Sequence, residues 1–227
     1  GTSRVILAEP GSIAHAKTLP DGGVGTVSDQ VVSLVLPNDL CFYTQEADRS
    51  AGIRVSVSSM PSGTSPGDVV NVTGAMGTTA SGERYVTGTS IQQTSGPGVP
   101  NPLGVTNDVA GGGDWYVTPE AGQVGPAAPE HLNNVGLFVK TSGRVVDIES
   151  GLLKIDDGSC GAAPCPLWVL LPSGVTLPVE GDYVIVTGAS SLKGTASAPE
   201  RLVRAAKADD IQSGCWDDTD DPVVAIT

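Results

Sequence analysis

Aromatic, basic and histidine residues are all scarce in this chain of 227 residues. Aromatics make up 4% of it, with three Trp, four Tyr and two Phe. Surfaces that hold bases or sugars by stacking need several rings close together, and so few rings leave little material for them. Lys and Arg total 12 against 25 Asp and Glu, a net charge of −13, which disfavours nucleic acid because phosphate contacts supply most of the affinity there. The two histidines, His15 and His131, stand apart from every cysteine. A zinc site would want paired cysteines or nearby histidines, so no metal and no cofactor is expected. A Ser-His-Asp arrangement would have to draw on one of these two histidines, no phosphate-binding Gly-Lys-Ser/Thr loop or dinucleotide fingerprint occurs, and no catalytic residue is assigned. No run of 18 apolar residues is present, so no membrane span is expected.

What the chain does have is a repeat. Gly67-Asp68-Val69-Val70-Asn71-Val72-Thr73-Gly74 returns as Gly181-Asp182-Tyr183-Val184-Ile185-Val186-Thr187-Gly188, identical at six of eight positions. At the same offset Ile53 and Val55 align with Leu167 and Val169, and Val31 to Leu34 with Val145 to Ile148. Further on, Glu83-Arg84-Tyr85-Val86 faces Glu200-Arg201-Leu202-Val203, and Ile91 faces Ile211, at slightly larger offsets. Short insertions in turns account for the drift. Self-similarity at this length marks a duplicated small domain.

Each copy reads as five strands, in the first copy near 25–36, 40–46, 52–59, 68–75 and 83–91, separated by Gly, Pro, Ser and Asp clusters. Period-two alternation places Val70 and Val72, with Val184 and Val186, on the core face, and Val69, Asn71 and Thr73 nearer water. A 3.6-residue apolar period is hinted at only over 199–208. The fold class expected is all-β.

The order of these pieces resembles the oligonucleotide/oligosaccharide-binding (OB) fold. A strand is followed by Phe42-Tyr43-Thr44-Gln45-Glu46, then Gly52-Ile53-Arg54-Val55, then Pro66-Gly67-Asp68 opening a strand that ends Val-Thr-Gly. The second copy offers Leu153-Lys154-Ile155-Asp156-Asp157-Gly158, then Trp168-Val169, then Gly181-Asp182. The whole is similar to secreted bacterial proteins of unassigned function that carry two such barrels joined by a Gly-rich segment. The resemblance covers roughly 25–91 and 136–211 and implies two tandem five-stranded OB-like barrels. One departure is that the links from Ser58 to Pro66 and from Pro172 to Glu180 are too rich in Pro, Gly and Ser for the helix that the family usually places between its third and fourth strands. In this family a barrel face would carry the ligand, here Phe42, Tyr43 and Arg54, with Arg84 flanking, or Lys154 and Trp168. The competing reading makes one of the two aromatics core and the other a lone surface ring.

The organisation expected is an extended N-terminal segment (1–10), a first barrel (11–92), a Gly/Pro-rich acidic linker (93–135), a second barrel (136–213) and an acidic tail (214–227). The repeats are nearly neutral, whereas the linker from residue 92 to 135 and the tail each hold four acids and no base, giving −8 of the −13. Gly111-Gly112-Gly113 and Pro126-Ala127-Ala128-Pro129 suit a flexible tether, yet Leu103, Val105, Trp115, Tyr116, Val117 and Leu132 punctuate it, so an ordered, packed linker is expected. Cys160 and Cys165 enclose a four-residue turn and can close a small disulfide loop, leaving Cys41 and Cys215 to pair across the molecule or between chains. Alternatively, Cys41 is a buried small hydrophobe beside Phe42.

Disulfide-capable cysteines and a first residue other than Met point to a processed, secreted protein, extracellular or at a cell surface. The apolar ends, Val5-Ile6-Leu7 and Val223-Val224-Ala225-Ile226, suit addition to an exposed sheet edge in the same chain or the next. The leading expectation is a structural subunit of an extracellular filament or surface assembly whose partner is itself. The alternative is an extracellular binding module for polysaccharide or, less favoured by the charge, nucleic acid. Asp217, Asp218, Asp220 and Asp221 could offer oxygens to calcium but read first as a solvated acidic linker. Asn71-Val72-Thr73 fits the N-glycosylation acceptor pattern.

Overall fold

The repeated octamer builds the same corner twice. In the computed structural model, which describes residues 9–118, 121–161, 165–172, 174–176 and 178–214, Gly67 and Gly181 have φ of +98° and +97°, a left-handed conformation that glycine adopts without strain. Their amides donate to Val32 O at 2.7 Å and to Val145 O at 2.8 Å. The neighbouring aspartates close the turn in the same way, Asp68 Oδ2 accepting from Ser65 N and Asp182 Oδ2 from Val179 N, both at 2.9 Å. Val70, Val72, Val184 and Val186 are fully buried. The final glycines are required too, because a Cβ on Gly74 would sit 1.8 Å from Thr87 O and one on Gly188 2.3 Å from Arg204 O. Conformation, turn capping, core and close approach thus account for the shared Gly, Asp, Val, Val and Gly.

The first unit contains β1 (Val24–Leu36), β2 (Cys41–Gln45), β3 (Gly52–Ser56), β4 (Val69–Thr78) and β5 (Arg84–Thr94), closed into a barrel in the order β1-β2-β3-β5-β4. A register shift between Val27 and Gln30, with Asp29 at φ +57°, bends β1 so that one strand pairs with both β4 and β2. After β6 (Leu103–Gly104) come β7 (Phe138–Glu149), β8 (Leu152–Asp156), β9 (Leu167–Leu170), β10 (Tyr183–Thr195), β11 (Ala198–Arg204) and β12 (Ile211–Gly214), a seven-stranded sheet with an added β10–β7 pairing. The protein is all-β, and among the described residues no helix is long and apolar enough to cross a membrane.

The pairings confirm the sequence alignment position by position. Val72 opposes Ile91 as Val186 opposes Ile211, and Val55 runs beside Val86 as Val169 beside Val203. The repeat offset grows from 114 at Gly67/Gly181 to 117 at Glu83/Glu200 and 120 at Ile91/Ile211. The first step is taken up in the β10–β11 hairpin. The second lies at a short 3-10 turn, Ala208–Asp210, which divides into β11 and β12 what is the single strand β5 in the first unit. Asp210 Oδ2 holds that turn by accepting from Ala206 N and Lys207 N.

Two expectations are corrected. The segment 199–208 is strand through Arg204, and the one α-helix among the described residues is α1 (Ile13–Lys17), ahead of the first strand. Five residues are too few for a 3.6-residue period to register, yet Ser12 caps the helix by accepting from His15 N, and Ile13 and Ala16 enter the first core. In the second core the equivalent contribution comes from the linker, through Ala110 with Leu103 and Val105 packed against the cluster. The described residues of 58–66 and 172–180 form turns and loops without a helix. Val5, Ile6, Leu7, Cys215, Val223, Val224, Ile226 and Asp217 to Asp221 lie outside the described residues.

The two units share a third apolar cluster, in which Leu34, Leu36, Cys41 and Tyr43 meet Phe138, Ala189 and Ala206. Next to it the backbones of Gly52 and Gly136 touch, a Cβ on Gly52 falling 2.3 Å from Gly136 C and O, and one on Gly136 falling 2.4 Å from Gly52 C and O. Both neighbours are backbone and neither can swing away. Gly52→Ala should therefore cost roughly 3 kcal/mol or more, at or beyond the upper end of overpacking. Thermal denaturation checks this, and an unchanged midpoint would show that the two backbones do not meet.

Candidate functional site

The seam between the units contains charge. Glu83, immediately before β5, is 2% exposed, and Tyr43 and Ser191, from opposite units, are fully buried beside it. Tyr43 OH donates to Glu83 Oε1 at 2.8 Å, and Ser191 Oγ donates to Oε2 at 2.7 Å. A buried carboxylate with both oxygens occupied is compensated for its lost water. The next residue, Arg84, is 2% exposed. Its guanidinium pairs with Asp21, donates to Leu19 O and to Thr78 Oγ1, and its amide donates to Gln123 Oε1 in the linker. Gln123 Nε2 in turn donates to Gly82 O and Val124 O.

Lys17 ends α1 on the same helical face as Ile13, four residues earlier. It is 4% exposed, and its Nζ donates to Val135 O at 2.9 Å. Burial pulls its pKa down to about 7, partly opposed by the Glu83 carboxylate, while Arg84 pushes in the same direction as burial. The same burial, with Glu83 adding to it, holds the Tyr43 hydroxyl well above its ordinary value, and burial raises the Cys41 thiol. Lys17 also lines a cavity of about 210 Å³ together with Ala14, Ala51, Trp115, Asn133 and Val135. An amine of this kind is substantially neutral near pH 7 and can act as a nucleophile.

The residues proposed as a ligand face are placed differently. Phe42 and Tyr43 are both fully buried, Phe42 in the first core and Tyr43 in the seam, so they form no open stacking pair. Arg54, half-buried, lies opposite Tyr43 on β3. In the second unit the same cross-strand position pairs Lys154 with Trp168. Trp168 is 6% exposed. Lys154 Nζ and Lys193 Nζ lie 4.7 and 4.1 Å from its ring centroid, and its Nε1 donates to Glu200 Oε2 at 2.6 Å. Lys193 pairs with Glu200, and Lys154 lies 4.0 Å from Asp147. The indole is thus covered by charges that are themselves paired.

Cys160 and Cys165 form the disulfide. Cys41 is a fully buried free thiol in the seam cluster, which fits its reading as a small buried hydrophobe, and Cys215 lies outside the described residues. Asn71 is half-buried and its Oδ1 accepts from Asp29 N. Among the described residues no group of three or more His, Cys, Asp or Glu is placed to hold a metal ion. Lys17, Ser191 and Gln123 do not stand out in the sequence. The one local signal is the spacing of Lys17 from Ile13 and Ala16, and the match of Glu83 with Glu200 carries no mark of burial. No family model matches the chain, and no curated protein matches it.

The depressed pKa of Lys17 gives a stability test. The unfolded chain binds more protons at this residue between about pH 7 and the ordinary lysine value of ~10.4. Stability should therefore be lowest below pH 7 and rise with pH through that window, by about 1.4 kcal/mol per unit for one proton. Denaturant midpoints taken between pH 7 and 8.5 should rise more in the wild type than in Lys17→Met, the Cys41 thiol contributing equally to both. Equal rises in both would contradict the assignment to Lys17.

Proposed function

We propose that this protein is a secreted structural subunit of an extracellular filament or surface assembly, built as two tandem OB-like barrels and joined to its neighbours by strand addition at open sheet edges. The observation that carries this reading is the free edge in each unit. β5 pairs with β4 along its length but with β3 only at Tyr85–Thr87, so the far side of Gly88–Thr94 meets no strand among the described residues. Among the described residues β12 pairs with β10 alone. Open edges are templates for an extended segment from another chain.

The two apolar terminal segments, with Val5, Ile6 and Leu7 at one end and Val223, Val224 and Ile226 at the other, are the occupants proposed for these edges. A terminal strand placed on a neighbour's edge is a heterologous contact, which propagates as a fibre when its rotation does not close. The rigid seam supports this reading, because a subunit that transmits geometry along an assembly must not flex at its middle. Placing Phe42 and Tyr43 in that seam removes them from any ligand face. The Cys160–Cys165 disulfide fits an oxidising compartment.

Light scattering and negative-stain microscopy of the full chain should show concentration-dependent oligomers or fibres. Deleting 1–8 or 215–227 should return a monomer, and Ser90→Lys with Gln92→Lys should weaken association by charging the β5 edge. A full chain that stays monodisperse and monomeric at every concentration would overturn the proposal.

A further inference from the structure

Lys17 is more deeply buried than its hydrogen bond alone requires. A lysine serving only as a donor to Val135 O could reach that carbonyl from the surface and keep its charge in water. Here the amine is withdrawn into the seam, beside a cavity whose lining is mainly apolar. At about 210 Å³ the cavity is far larger than the ~10–15 Å³ that one water needs. Ala14 and Ala51 keep it open and Trp115 supplies one wall. An uncommitted volume, an indole wall and a primary amine in one place are the components of a site for a small carbonyl compound.

We propose that Lys17 and this cavity bind a small uncharged aldehyde, held as a reversible imine on Nζ. The neutral amine adds its lone pair to the carbonyl carbon, forming the C–N bond while the carbonyl π pair moves to oxygen, and one N–H proton passes to that oxygen. The carbinolamine then loses its hydroxyl and the remaining N–H proton as water to give the C=N bond, and addition of water returns amine and aldehyde. No oxidant or reductant is involved. Burial favours the step by keeping the amine substantially neutral near pH 7, whereas a lysine of ordinary pKa is neutral only to about one part in a few thousand there. Two charged groups act on Nζ, Glu83 just before β5 and Arg84 at its first position. Glu83, fixed by Tyr43 and Ser191, stabilises the positive charge of a protonated imine, and Arg84 opposes it. An uncharged, single-ring aldehyde suits a cavity with an apolar lining, and a charged one would have to shed its water to enter.

The test uses the full chain, benzaldehyde and cyanoborohydride at pH 7.5, with the reduced adducts located by peptide mass mapping. The chain has four other lysines, Lys140, Lys154, Lys193 and Lys207. Labelling at Lys17 should exceed that at each of them by tenfold or more, and its rate should rise with pH to a plateau above about pH 7. Ala14→Phe, which fills the cavity and leaves the amine, should cut Lys17 labelling at least tenfold without changing the other four. In the wild type, excess benzyl alcohol, which occupies the cavity but cannot react, should protect Lys17 alone. Labelling spread evenly over the five lysines, or Lys17 labelling insensitive to benzyl alcohol, would overturn the proposal. Because the readout is the adduct on a single chain, it is independent of whether the protein assembles.

Discussion

The contact between the backbones of Gly52 and Gly136 is the constraint from which the rest of the molecule follows. With no side chain on either residue the two units approach closely enough for Phe138 N to reach Gln45 Oε1 at 2.9 Å, and for Ser191 and Tyr43 to meet on one carboxylate. Holding the units even a methyl group apart would admit water to Glu83 and to Lys17. The near-neutral amine, the pinned carboxylate and the apolar cluster around Cys41 all depend on that exclusion. Low dielectric makes such a seam strong when every polar group is satisfied and costly when one is not. This is why Gly52 and the hydroxyl of Tyr43 carry more weight than their size suggests.

Duplication explains the remaining asymmetry. Equivalent strands carry Tyr43 opposite Arg54 in the first unit and Lys154 opposite Trp168 in the second. In the first unit that face takes on the second unit. On the matching face of the second unit, the Trp168 ring is covered by Lys154 and Lys193 and hydrogen-bonded to Glu200. The opposite patch shows the same logic, since Phe138 is buried in the seam while its counterpart Val24 is 73% exposed.

Most of the barrel framework was legible in the sequence because period-two burial and turn chemistry are local. Val70 and Val72 alternate with half-buried neighbours, and Gly67-Asp68 closes its own turn. Five residues of α1 fall below the length at which a helical period can be recognised. The ligand-face reading of Phe42 and Tyr43 failed for another reason. A strand in a barrel has two faces, and whether the outer one meets water or a second unit is not written in that strand. The sequence offers Cys41 as a buried small hydrophobe, and only the packed seam shows what covers it.

The sequence by itself determined the all-β class, the duplication, the strand positions of the first unit and the Cys160–Cys165 loop. Each rests on residues close along the chain or on a pattern present twice. Only the tertiary structure decided that the two units share one buried seam, that Lys17 loses its ordinary basicity there, and that Trp168 is covered. Lys17 and Val135 are 118 residues apart, and Glu83 and Ser191 are 108 apart. Burial and electrostatic environment at such separations arise from packing, and no local pattern encodes them.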